Sequence, residues 1–392
     1  MRKRSVYILD KVTKRVFVFL EIFSQEGGIQ SYIKDIFEAY RVLISKAEVN
    51  NPEDNYTAEV FLLRDEPGAE NYFESENFKF HYLKTLPPWL GRLRLAIALL
   101  NCLLTQRPAH VYCGHINLAS LVQKLCQPLG IPYTVLTYGK EVWEPLSPKK
   151  QQALAQAAAI WTISRYSQDR LCAANKINPQ KVRMLPCVVD GNKFTPGEKP
   201  YNLIAKYNLA DAKVLMTVAR LWSGDIYKGV DVTIRALPKI LAVFPEVKYL
   251  AIGRGDDRPR LAQLARDLDV AEKVVFAGFV PKEELVAHYR VADAYIMPSQ
   301  EGFGIVYLEA MACGKPVLSG DADGSADPLQ NGCLGWRVPH RDAEAVAAAT
   351  IEILKGKDRR CDGEWLREQT LAKFGKEALQ KRLQDLLEKE QS

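Results

Sequence analysis

Arg15-Val-Phe-Val-Phe-Leu-Glu-Ile-Phe23 is the first strongly patterned stretch of the chain. A run of β-branched and aromatic residues with little alternation suits a parallel strand covered on both faces. The turn Gly27-Gly28 follows, then Ile29–Leu43 with helical spacing. Strand, glycine turn and helix make the opening unit of a doubly wound sheet. Further strands are predicted at Ala58–Leu63, His110–Tyr112, Tyr133–Thr137, Ile160–Ile163 and Val182–Leu185, with helical stretches between most of them. Asp190–Pro200, holding Pro196, Gly197 and Pro200, reads as a linker. After it, strands are predicted at Val214–Ala219, Lys248–Ile252, Val274–Ala277, Ala294–Met297 and Pro316–Leu318, separated by helices such as Asp231–Phe244 and Lys282–Val291. The expectation is an α/β chain of two Rossmann-like, doubly wound parallel-sheet domains, residues 1–195 and 196–368, facing a cleft. Residues 369–392 are expected to form a charged amphipathic helix that packs back on the first domain.

The most informative segment is Met297-Pro-Ser-Gln-Glu-Gly-Phe-Gly-Ile-Val-Tyr-Leu-Glu-Ala-Met-Ala-Cys-Gly-Lys-Pro-Val317. A strand ends near Met297, a glycine-containing loop follows, and a helix begins near Gly304. In open α/β sheets ligands bind beyond the carboxyl ends of strands, and helix N-termini hold phosphate through free amides. The amides of Gly302, Phe303 and Gly304 are therefore phosphate candidates. Glu301 and Glu309 flank that site, and carboxylates accept hydrogen bonds from sugar hydroxyls. One carboxylate for a ribose, one for a sugar and a phosphate between them describe a nucleotide-sugar. A dehydrogenase is excluded, because no Gly-x-Gly-x-x-Gly follows either first strand.

The frame Glu301-Gly-Phe-Gly…Glu309-Ala-Met-Ala-x-Gly-x-Pro-Val resembles the retaining glycosyltransferases of family four, which have the GT-B fold. Val218-Ala-Arg-Leu221, Lys228-Gly-x-Asp231, Gly253-x-Gly255 and Val274-x-Phe-x-Gly-x-Val280 carry the resemblance through the second half. It implies that Arg220 and Lys228 neutralise the donor diphosphate, that Glu301 faces the transferred sugar, that Glu309 binds ribose, and that Gly278 and Val280 lie against the base. Trp222–Tyr227 makes the loop between the two cations longer than the family's. The family's Gly-Gly-x-x-Glu after the next strand is replaced here by Gly320-Asp-Ala-Asp-Gly-Ser-Ala-Asp327, where Asp321-x-Asp323 reads as a polar loop rather than a metal site.

In the first half the resemblance places Gly27 and Gly28 at the phosphates or acceptor and His115 near the sugar. Lys140 and Glu141, in Thr137-Tyr-Gly-Lys-Glu141, are acceptor-side candidates, with Ser164-Arg165 a weaker one. The family resemblance is strongest to bacterial exopolysaccharide and envelope-polysaccharide enzymes. It implies transfer of a hexose, glucose from UDP-glucose in the first instance, to a polysaccharide or lipid-linked saccharide, without a metal or other cofactor. A GDP-mannose-dependent mannosyltransferase is the alternative, since nothing at Val280 or Leu285 separates uracil from guanine. A non-catalytic nucleotide-sugar-binding partner and an epimerase are further readings.

Charge adds one element. Of 53 Lys/Arg and 47 Asp/Glu, residues 1–200 hold 26 and 19, a net of +7; the remainder hold 27 and 28, a net of −1. A basic first half points to an anionic partner, here a membrane surface rather than a nucleic acid. Trp89–Leu104 is apolar but carries Arg92, Arg94 and Asn101, and it is too short to span a bilayer, which takes about 20 apolar residues. It is read as a core helix, with a helix lying on the membrane as the alternative. Eight cysteines without a Cys-x-x-Cys pair, and a basic start, Met1-Arg-Lys-Arg, followed by only a short apolar run, lead to the expectation of a cytoplasmic protein with reduced thiols, peripheral at most on the cytoplasmic membrane.

Overall fold

The computed structural model describes residues 13–25, 27–68 apart from 51–55, and 70–390. The basic N-terminal residues and Glu26 of the Glu26-Gly-Gly28 turn lie outside the described residues. The chain divides into two compact units, one of residues up to 185 together with those from 379 onward, the other of residues 186–378.

In chain order the first unit holds β1 (Thr13–Phe19), α1 (Gly28–Asn50), β2 (Tyr56–Leu62), β3 (Phe78–Tyr82), α2 (Pro88–Gln106), β4 (His110–Cys113), α3 (Ile116–Cys126), β5 (Tyr133–Thr137), α4 (Pro148–Gln156), β6 (Ala159–Thr162), α5 (Arg165–Asn175) and β7 (Val182–Met184). Its sheet runs β3-β2-β1-β4-β5-β6-β7, and every pairing is parallel. The order reverses at β1, so the loops after β1 and β4 lie side by side at the carboxyl edge, where such sheets bind ligands. On one face an aromatic layer packs: the Phe37 ring of α1 stands edge-on to Phe17 at 5.8 Å and to Phe78 at 5.1 Å. Each such pair adds about 0.5–1.5 kcal/mol beyond burial. The other face is aliphatic, with Leu95, Leu99 and Leu103 of α2 and Val122 of α3 against Val16, Val18 and Val111.

The second unit holds α6 (Tyr201–Lys206), β8 (Lys213–Val218), α7 (Val230–Val243), β9 (Val247–Ile252), α8 (Arg258–Asp267), β10 (Val274–Gly278), α9 (Leu285–Val291), β11 (Ala294–Met297), α10 (Ile305–Ala312), β12 (Val317–Gly320), β13 (Trp336–Val338), α11 (Ala343–Lys355) and α12 (Gly363–Phe374). Its sheet, β10-β9-β8-β11-β12-β13, is also wholly parallel and reverses at β8.

Three expectations are corrected. Residues 186–195 pack with the second unit, not the first: Val188, Val189 and Phe194 are buried, and the Arg367 guanidinium donates to the carbonyls of Phe194 and Gly191, each at 2.6 Å. Residues 369–378 also belong there, so the second unit runs past the anticipated end at 368. β3 and β13 were not anticipated. Each is short and lies at a sheet edge, and Phe78-Lys-Phe-His-Tyr82 alternates as an edge strand does. The last helix, α13 (Lys376–Lys389), belongs from Leu379 onward to the first unit, where the Tyr112 hydroxyl donates to Glu390 Oε2 at 2.5 Å and that of Thr134 to Oε1 at 3.1 Å.

Candidate active site

Four loops converge at the carboxyl edge of the second sheet, and glycines permit their approach. A Cβ on Gly253 would stand 1.8 Å from the Ala219 carbonyl oxygen, and one on Gly255 would stand 1.9 Å from that of Leu221. Both glycines therefore let the loop after β9 lie against the loop after β8. Gly229, at φ +74°, turns the chain into α7 directly under Pro298, whose carbonyl a Cβ would meet at 2.4 Å. Most of the residues that lengthen the loop after β8 fall in a 3-10 segment, Ser223–Lys228, kinked at Asp225. Arg220 and Lys228 line one small open cavity with Asp225, Asp231 and Arg260. Arg220 is mostly exposed, its Nε 3.0 Å from Asp225 Oδ2 and its guanidinium 5.7 Å from the Trp222 ring centre.

Lys228 and Glu301 form an ion pair with both side chains largely buried. The backbone holds it in place, since the Gln300 amide donates to the Tyr227 carbonyl at 3.0 Å. Burial pulls the Lys228 ammonium down, but the carboxylate beside it outweighs that and Arg220 opposes only weakly, so the group is held above its ordinary value. Asp323 positions Glu301 from the far side: its Oδ2 accepts from the Glu301 amide at 2.6 Å, its Oδ1 from that of Ser325 at 2.9 Å. Burial pushes the Asp323 carboxyl up to about 6, against those hydrogen bonds. Among the described residues no cluster of three or more His, Cys, Asp or Glu side chains forms a metal site. Sequence reasoning passed over Asp323 as part of a polar loop. Its place 22 residues from Glu301 leaves no local signal.

α10 starts after Gly304 at φ +93°, and no side chain caps its first turn. The Phe303 ring is buried edge-on to Phe374 at 5.8 Å, so only the backbone of Gly302–Gly304 faces outward as a candidate anion site. Tyr307 anchors this turn by donating to the Met297 carbonyl at 2.7 Å. Glu309, one turn further, is buried, and its Oε2 accepts from the Tyr289 hydroxyl at 2.7 Å. Burial raises its carboxyl above the ordinary range, with Tyr289 opposing. Gly278 ends β10 at φ +75° and its carbonyl accepts from the Gly253 amide at 2.8 Å. Val280 is buried, while Phe279 between them is exposed with the Arg254 guanidinium 4.8 Å from its ring centre.

Residues 212–356 match the family Glycosyl transferases group 1. The matched span lies wholly within the second unit. The chain is 34% identical over 232 residues to the GDP-mannose-dependent alpha-(1-6)-phosphatidylinositol monomannoside mannosyltransferase of Mycolicibacterium smegmatis, a match covering 56% of this chain and 59% of that protein. It is 29% identical over 214 residues to the amylovoran biosynthesis glycosyltransferase AmsK of Erwinia amylovora, covering 52% of this chain and 49% of that one. The chain thus spans about half to three-fifths of the length of these relatives. In fold it is similar to sucrose-phosphate synthase from Thermosynechococcus elongatus, with TM-score 0.75, 20% identity, and coverage of 96% and 98% of the two chains. The architecture of the whole chain is GT-B.

The first unit carries its own group of sequence-predicted residues at the carboxyl edge of its sheet. α1 begins at Gly28, and the carbonyl of Gly27 just before it accepts from the Ser31 amide at 3.0 Å. The loop before them hangs on Asp65, fully buried after β2, whose carboxylate accepts from the amides of Ile22, Phe23 and Ser24 at 2.6, 3.1 and 2.7 Å. Sequence reasoning missed Asp65, since its partners lie more than 40 residues away. His115 caps α3, its Nδ1 accepting from the Asn117 amide at 3.1 Å. Glu141 Oε1 accepts from the amides of Tyr138 at 2.5 Å and Gly139 at 3.2 Å, so this carboxylate closes its own turn, while Lys140 is exposed. Ser164 caps α5 through the Ser167 amide at 3.1 Å.

Burial first, then the charges of Lys150 and Arg64, push the His115 imidazole down to about 4. With the folded value below the unfolded one, the unfolded chain binds more protons between about 4 and 6.5, and this group adds stability as pH rises through that window. At neutral pH the ring is uncharged. Titration of its carbon-bound ring protons by NMR should show no inflection between pH 5.5 and 7.5; a midpoint near 6.5 would show that the burial acting on this ring is not that of the structure.

Proposed function

We propose that the protein is a retaining glycosyltransferase that moves mannose from GDP-mannose to a lipid-linked or polysaccharide acceptor. The observation that carries the reading is the Lys228–Glu301 pair. The bond broken in such a transfer joins the sugar to the diphosphate. An ammonium that meets the phosphate and a carboxylate that meets the sugar hydroxyls must therefore stand side by side. Lys228 has three N–H groups, so it can keep Glu301 and still donate to a phosphate oxygen. Arg220, exposed on the same cavity, adds a second cation where negative charge develops, and the uncapped amides at the start of α10 add dipoles. Glu309 would use Oε1 toward a ribose hydroxyl while Oε2 keeps Tyr289. Gly278 and Val280 would border the base. In the first unit Gly27, Gly28 and the neutral His115 are assigned to the phosphate and sugar, and Lys140 to the acceptor, with Glu141 shaping the turn that carries it. None of these roles calls on a metal.

The relatives favour mannose over the glucose that the sequence suggested. The mycobacterial protein is by name GDP-mannose-dependent and acts on a phosphatidylinositol mannoside. A lipid-linked acceptor also suits the basic first half.

The donor is tested by thermal shift. At 100 times its Kd a ligand stabilises by about 2.7 kcal/mol, or roughly 5–10 °C for a unit of this size. GDP-mannose should produce that shift and UDP-glucose should not. The reverse order would return the donor to UDP-glucose. No shift with either sugar, and no slow release of nucleoside diphosphate, would discard the nucleotide-sugar reading.

A further inference from the structure

α2 is apolar on two faces. Gly91, Leu95, Leu99, Cys102 and Leu103 face the core. Leu86 just before the helix and Trp89, Leu93, Ile97, Leu100 and Leu104 on it are between 38% and 80% exposed. From Trp89 on they recur at steps of four, four, three and four, which brings them onto one stripe of the helix surface. Arg92 and Arg94, both exposed, lie to either side of the stripe at its N-terminal half, and the helix contains no acidic residue. Isolated exposed leucines need no explanation, but a continuous stripe along about four turns marks an interaction surface.

We propose that the outward face of α2 docks on an anionic lipid surface, with the helix lying in the headgroup plane. Among the described residues no helix is long and apolar enough to cross a membrane. A helix with a narrow apolar stripe, Trp at one end and arginines beside it has the composition of one that lies at the interface. Charge selects the partner. The arginines, within a half-chain of net +7, match lipid phosphates, whereas a second copy of the helix would bring them no acid to pair with. The purpose of such docking rests on the lipid-linked acceptor proposed above; the docking itself rests on the helix alone.

Sedimentation with phosphatidylglycerol/phosphatidylcholine vesicles tests it. At low salt the full chain should bind these vesicles at least tenfold more tightly than phosphatidylcholine alone, and binding should weaken as salt rises. Leu93→Glu/Ile97→Glu should reduce binding at least tenfold while its circular-dichroism melt and its GDP release from GDP-mannose match the parent protein. Arg92→Glu, which leaves the stripe intact, should also weaken binding to the anionic vesicles. The proposal falls if the parent protein stays in the supernatant, if the double variant binds as the parent does, or if light scattering shows a dimer that the double variant dissolves. Vesicle binding without any donor turnover would keep the docking and reject the transferase reading; turnover without vesicle binding would do the opposite.

Discussion

Lys228→Met should lower the rate of sugar transfer, or of GDP release from GDP-mannose, by about 10²–10³, the usual loss on removing one group that stabilises charge in a transition state. Methionine keeps much of the aliphatic stem and removes the charged head with its N–H donors. The same change leaves Glu301 without its ion pair at a site where both side chains are mostly buried, so some stability is lost as well. Breaking a fully buried pair costs about 3–5 kcal/mol, and the residual exposure here makes the cost smaller. Glu301→Gln tests the other half of the pair. It keeps the shape and an acceptor oxygen for the ammonium but removes the negative charge, and should cut turnover while changing KM for the donor less. The decisive measurement is single-turnover donor cleavage well below the melting temperature of each variant. If Lys228→Met melts early but cleaves at the parent rate when folded, the lysine is structural and its assignment to the diphosphate is wrong.

Gly324→Ala should lower the melting temperature of the second unit by roughly 2–12 °C, through an overpacking cost of about 1–3 kcal/mol. The Cβ would stand 2.0 Å from the Gly302 carbonyl oxygen and 3.0 Å from that of Glu301. Both contacts are backbone, so no side-chain rotation relieves them. The loop carrying Glu301 and the Gly302–Gly304 backbone must move, and the Gly324 amide must give up the Glu301 carbonyl it now meets at 2.8 Å. Donor affinity should therefore fall along with stability. Gly224→Ala is the control, since nothing lies within 4 Å of its Cβ position and its backbone is unstrained; its melting temperature should stay within a degree or rise. If differential scanning calorimetry finds both alanine variants alike, the close approach of residues 324 and 302 is not a feature of the protein in solution.

The units of both sheets were legible where strands are buried on both faces. Ala294–Met297 is fully buried along its length and was located to the residue, because a central parallel strand leaves no polar position to blur its ends. β3 and β13, at the sheet edges, lack that signature. The linker was misplaced for a related reason: Asp190–Pro200 is polar in composition, yet Phe194 within it is buried and its carbonyl is held by Arg367, 173 residues away. α2 shows the same limit from the other side. Its apolar sequence is compatible with a core helix and with a surface one, and the structure makes it both, one face buried and one exposed.

The sequence by itself determined the doubly wound architecture and the glycine loop before α10, and its resemblance singled out Arg220, Lys228, Glu301 and Glu309 as candidates. Periodicity and turn chemistry are local properties, and a spaced motif survives as a pattern in one dimension. Only the tertiary structure decided that Lys228 pairs with Glu301 across 73 residues, that Asp323 holds the Glu301 amide, that Asp65 carries the loop before Gly27, and that residues 186–195 pack with the second unit. Those facts depend on which polar groups meet after the backbone has closed. A carboxylate shows no sign along the chain of which distant amide or ammonium it will satisfy once both are taken out of water.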